Sequence, residues 1–172
     1  MIPNISSQNI AIHKWLLIIL CFYLGACSNP VNIVKPLHVS RANQIASAQF
    51  TVNKPGNYRF AVLFVKGNTQ DIIEAQKKTW GNIDETGVPI HLELRILKGN
   101  TPVVDEILET TRVDWGQSFY YQDRELNTAV RLIKIQELMP GEYTVSIRTL
   151  YDLEAFRPIE SLVEFSYYNP KH

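Results

Sequence analysis

Apolar residues recur at every second position over most of the chain from about Gln44 onward. That period belongs to a β-strand with one face buried and the other wet. Ala46, Ala48, Phe50 and Val52 alternate with polar neighbours, and so do Ile90, Leu92, Leu94 and Ile96 within Pro89–Lys98. Tyr58–Lys66 is strongly apolar, and Pro102–Thr110 reads as a weaker strand. Ala129, Arg131, Ile133 and Ile135 mark another, ending at Leu138, before Tyr143–Arg148 and a last strand, Ile159–Tyr168. Lys54-Pro55-Gly56-Asn57, Gly99-Asn100 and Pro140-Gly141-Glu142 supply turns between them. One segment breaks the period. Asn68-Thr69-Gln70-Asp71 can cap a helix that continues through Ile72–Trp80 and stops at Gly81. Ile72, Ile73 and Trp80 are its expected buried side.

Two turns hand the chain to a strand that starts with tyrosine: Pro55-Gly56-Asn57-Tyr58 and Pro140-Gly141-Glu142-Tyr143. The second resembles the tyrosine corner of Greek-key sandwiches, whose ring packs in the core while its hydroxyl bonds backbone a few residues upstream. Tyr143 and Tyr58 are therefore expected to be structural. The resemblance implies an all-β fold, a Greek-key β-sandwich of seven or eight strands with one short helix inserted. It is similar to immunoglobulin and fibronectin type III domains, with a closed barrel as the alternative. The domain is expected to cover residues 39–172.

The N-terminus is of another kind. Trp15–Leu24 is a run of ten apolar residues preceded by a single cation, Lys14. A membrane span needs about 20 such residues, so the run fits the apolar region of an export signal. It ends in Leu24-Gly25-Ala26-Cys27, which resembles the bacterial lipobox: an aliphatic residue, two small residues, then cysteine. The resemblance implies a signal peptide over residues 1–26, cleavage between Ala26 and Cys27, and a diacylglyceryl thioether on Cys27. Further acylation, by palmitate or a similar chain, would make the anchoring stable. Ser28 in place of Asp implies, by the same resemblance, the outer membrane, with its periplasmic leaflet favoured over the cell surface. Residues 27–38 read as the lipidated cysteine and a short proline-bearing tether, whose Ser28–Pro36 part reaches about 30 Å when stretched. The whole is similar to small β-sandwich lipoproteins in families of unknown function.

Composition removes several functions. Basic and acidic residues balance at 17 each, and the only one of either before Cys27 is Lys14, so the processed chain carries one acid in excess. Such a domain has no footprint for nucleic acid and no polybasic patch for anionic lipid. Its only cysteines are Cys21 and Cys27, which leaves the domain without a disulfide, a thiol nucleophile or a thiolate ligand. His91, on the polar face of a strand, reads as a solvated residue, and no H-x-H or H-E-x-x-H spacing occurs. No metal or other cofactor is expected, and no catalytic motif is present, so the expectation is a protein that is not an enzyme.

Val113–Glu125 (VDWGQSFYYQDRE) is the most unusual stretch. Trp115, Phe119, Tyr120 and Tyr121 cluster there beside Arg112 and Arg124, and Tyr, Trp and Arg are the usual anchors of protein interfaces. Aromatic faces also stack on sugar rings. The plainer alternative has Phe119 and Tyr121 filling the core of a short strand while Trp115 covers an end of the sandwich. The helix with Trp80 and its loop to Val88 is the other candidate surface. Three roles remain: binding a protein partner, a specific form being a periplasmic immunity protein against a delivered toxin; binding glycan or peptidoglycan; or a structural role in outer-membrane assembly.

Overall fold

The computed structural model of the chain describes residues 30–169. Ala26 and Cys27 lie outside them. The described residues form nine strands: β1 (Asn32–Pro36), β2 (Ile45–Val52), β3 (Gly56–Val65), β4 (Ile90–Lys98), β5 (Thr101–Thr110), β6 (Trp115–Tyr121), β7 (Arg124–Leu138), β8 (Gly141–Thr149) and β9 (Ser161–Tyr168). Helix α1 (Gln70–Trp80) joins β3 to β4, and a short 3₁₀ turn (Glu154–Phe156) precedes β9. One sheet has the order β1-β9-β3-β7-β6 and the other β2-β8-β4-β5. All pairings are antiparallel. Only β4–β5 and β6–β7 are hairpins; every other connection crosses between the sheets. This is an all-β sandwich with one helical insertion.

The alternation explains the core. Phe60, Val62 and Phe64 of β3 and Val163 and Phe165 of β9 face Leu92, Leu94 and Ile96 of β4 and Val145 and Ile147 of β8, all fully buried. Each such side chain contributes roughly 1.5–3 kcal/mol on leaving water, which allows a thiol-free domain to stand without a disulfide. Both sheets and the described core come from residues 32–168, so this length is the folding unit. At one end Phe50, Tyr58 and Tyr143 stack, with ring centroids 5.6 and 6.1 Å apart, and Tyr167 meets Tyr58 edge-on. Tyr143 Oη donates to the Met139 carbonyl at 2.8 Å, the bond of a tyrosine corner. Tyr58 packs by its ring; among the described residues its hydroxyl makes no such bond.

Three expectations need correction. The stretch read as tether is partly sheet: Asn32–Pro36 pairs with Ser166–Leu162 as an edge strand. Its five residues are too few to display a period, and Pro36 at its end removes a donor that an edge can spare. Ile135 does not share the inward face of Ala129 and Ile133. A bulge shifts the β3–β7 register between Phe60 and Ala61, and beyond it the phase of β7 is reversed, leaving Ile135 exposed. Ile72 is exposed too, because α1 docks by its C-terminal end. Trp80 is its buried residue, stacked on Phe64 at 5.9 Å.

Candidate functional site

The site grows from the unequal lengths of the two sheets. β7 has 15 residues, and Arg131 in its middle already lies level with the end of β5, where its Nη1 bonds the Thr110 carbonyl. Residues 124–130 of β7, with the β6 residues paired to them, therefore run on past the second sheet. Turn residues Gln122 and Asp123 both have positive φ, the conformation of a tight type I′ hairpin. α1 lies against this overhang in place of a second sheet. Thr69 caps it, its Oγ1 accepting from the Ile72 amide, and Gly81 ends it with φ +77°. A Cβ at Gly81 would stand 2.6 Å from the Glu85 carbonyl oxygen and the Gly87 nitrogen, so the close turn requires glycine.

Arg131 locks this arrangement. It is wholly buried against the stacked pair Phe64 and Phe156, with its guanidinium carbon 5.5 and 5.6 Å from their ring centroids. Its Nε and Nη2 donate to the Trp80 carbonyl (2.9 and 2.6 Å), Nη2 also to Thr79 (3.2 Å), and Nη1 to Val88 and Thr110 (2.9 and 3.0 Å). Thr79 and Trp80 lie at the α1 C-terminus, where carbonyls lack helical donors and the helix dipole is negative; the Thr79 carbonyl also accepts from the Val88 amide at 2.8 Å. One cation thus ties the helix end, the following loop and the end of β5 together. Burial pushes its pKa down to about 10 while the Asp114 carboxylate opposes the shift, so it stays charged at neutral pH.

Between α1 and the overhang lies a groove of about 390 Å³. Trp80 forms its floor, Ile73 and Lys77 one wall, and Lys66, Gly116 and Asn127 the other. Two lysines and no carboxylate line it. Lys77 is held by Glu74 at 2.7 Å. Lys66 Nζ lies over Gly116, 3.1 Å from where a Cβ would stand.

The expected aromatic patch is divided by the strand pleat. Trp115, Phe119 and Tyr121 share the outer face of the five-stranded sheet, half-buried against Ala61, Leu63, Leu126, Val130 and Leu162. Tyr120 points to the groove side and is 77 % exposed. Arg59 covers the Trp115 ring at 4.7 Å and binds Glu164 at 2.8 Å, while Trp115 Nε1 donates to Gln117. One face of Trp115 is therefore occupied. Arg124 pairs with Glu160 at 2.6 Å, and Arg112 is exposed between β5 and β6. Trp80, expected at a binding surface, is 2 % exposed and belongs to the core, because its ring is what docks the helix. His91 Nε2 lies 2.9 Å from Glu109 and its ring meets Tyr151 edge-on. Among the described residues no group of three His, Cys, Asp or Glu could hold a metal ion.

Sequence reasoning missed Lys66, Lys77, Gly116 and Asn127, which are unremarkable until α1 is placed. Arg131 did leave a signal: a cation in the inward phase between Ala129 and Ile133.

Fold and site together define a two-sheet β domain with a helix-covered groove at one end. A family model described as Domain of unknown function (DUF5625) matches residues 34–167, and the chain belongs to that family. No curated protein matches it. The crystal structure of a protein from Sulfurospirillum deleyianum is similar at a TM-score of 0.62 and 13% identity, covering 84% of this chain and 100% of that one. At that identity the likeness concerns the fold alone.

Proposed function

We propose that this chain is the precursor of an exported bacterial lipoprotein, anchored by an acylated Cys27 to the periplasmic leaflet of the outer membrane, whose non-enzymatic domain holds a protein partner in the α1 groove. The observation that carries the reading is the polarity of the domain. β1 starts at Asn32, five residues after Cys27, a reach of about 17 Å. Asn32 pairs with Ser166, which pairs with Arg59 near the start of β3. The anchor would therefore meet the end formed by the β2–β3, β4–β5 and β7–β8 turns. α1 follows the far end of β3, so the groove opens away from the bilayer, where a partner has access. Its two lysines beside Trp80 and Ile73 suit an acidic segment with apolar anchors. A toxin blocked by an immunity protein is one partner of that kind.

Two measurements test the two halves. Labelled palmitate should enter the wild-type protein in cells and not the Cys27→Ala variant; label on that variant would sink the anchor. A crosslinking pull-down from intact cells should recover a partner with the wild type and lose it with Ile73→Asp plus Lys77→Glu, both on the half-buried groove wall of α1. Recovery undiminished by that pair of changes would remove the groove from the reading.

A further inference from the structure

The two sheets end in four edges: β1 and β6 in one, β2 and β5 in the other. An open edge pairs readily with another chain, and proteins guard it with charge, proline or a covering element. β5 carries Pro102, Asp105, Glu106 and Glu109. β1 carries Lys35 and Pro36 and runs alongside β2, whose Ser47 and Ala48 line one cleft with Ile33 and Lys35. β6 has none of these guards. Its seven residues, WGQSFYY, contain neither charge nor proline, and it stands at the rim of the overhang, beyond the reach of the second sheet.

We propose that β6 is the docking edge for a second copy of this chain, joined antiparallel about a two-fold axis at Ser118 into one ten-stranded sheet. The strand is complementary to itself in that register. Gly116 then faces the partner copy's Tyr120, and Trp115 the partner copy's Tyr121. Tyr120 is the most exposed large apolar side chain described, and an edge glycine is the natural seat for a cross-strand aromatic ring. The seat is prepared by charge as well. Lys66 Nζ lies over Gly116 on that face. Glu125 is paired with Tyr120 on the same face and is exposed. In the dimer a lysine of one copy and a glutamate of the other flank each tyrosine, while no like charges meet along the edge itself. Trp115 and Tyr121, already half-buried on the outer face, gain a second aromatic neighbour across the axis. The assignment concerns the edge of β6 and needs neither an anchor nor a ligand in the groove.

The test is sedimentation equilibrium of residues 28–172. Dimer should form at about 100 µM, the weak end for an interface built on one strand pair. Ser118→Lys places two cations on the axis and should raise the dissociation constant at least about tenfold, with an unchanged melting curve. Ser118→Cys, the only thiol in that protein, should oxidise to a covalent dimer, since strand partners about 5 Å apart match disulfide geometry. A wild type that stays monomeric at that concentration, a Ser118→Lys variant that dimerises as well as wild type, or a Ser118→Cys dimer that does not crosslink would each overturn the assignment.

Discussion

Arg131 is the residue on which the candidate site depends. A buried cation without a bonded carboxylate is costly, and it is tolerated here because five hydrogen bonds to four carbonyls replace its water. The fork geometry matters, since lysine offers a point charge that cannot span Trp80, Val88 and Thr110 together. Replacing Arg131 by Met would take the guanidinium donors from those carbonyls, of which Thr79 alone is shown to keep a backbone donor, the Val88 amide. We expect Arg131→Met to lower stability by about 3–5 kcal/mol in denaturant titration, with Arg131→Lys intermediate. A loss under about 1 kcal/mol would mean that water reaches the carbonyls and that Arg131 is not the lock.

At the scale of elements, α1 is buried at its C-terminal end and tied at its middle by Gln76, which accepts from the Gly67 amide and donates to the Val65 carbonyl. Its caps are local and were readable in advance: Thr69 starts it and Gly81 stops it. Its burial was not readable, because Ile72 and Ile73 carry the same local signal as Trp80 and only the position of Phe64 decides which of them docks. Gly81 is the weak point of the connection. Gly81→Ala forces on a residue with a Cβ a backbone region that is essentially glycine's alone, at about 1–3 kcal/mol, and drives that Cβ against the 85–87 backbone. We expect hydrogen exchange to quicken through α1 and the 81–88 loop while β4, β8 and β9 keep their protection. Equal acceleration in all of them would show α1 to be part of the global folding unit rather than a separately opening one.

For the whole molecule, acid is the informative perturbation. Glu93 of β4 accepts from Arg148 of β8 at 2.6 Å, joining the two central strands of the smaller sheet. That bond from Arg148 holds the Glu93 carboxyl below its ordinary value, against the opposing effect of burial. A carboxyl with a lower pKa folded than unfolded contributes stability that is present at neutral pH and lost as pH falls through the folded value. Thermal midpoints should therefore be flat from pH 7 to about 5 and fall below about pH 4. The Glu93→Gln variant should fall less steeply in that range, and an identical acid limb would show the bond to be irrelevant to folding. The pair is partly exposed, so its share is small. What the sequence determined by itself was everything written in local periods: the strand faces, the turns, the helix caps and the corner at Tyr143. The Leu24–Cys27 pattern behind the proposed anchor is local in the same way and lies outside the described residues. Tertiary structure alone decided which strands are neighbours, that β1 joins the sheet, that a bulge turns Ile135 outward, and that Arg131 meets the end of a helix some fifty residues away. Those are contacts between distant segments, and a local period carries no information about which distant segment will supply the other half of a contact.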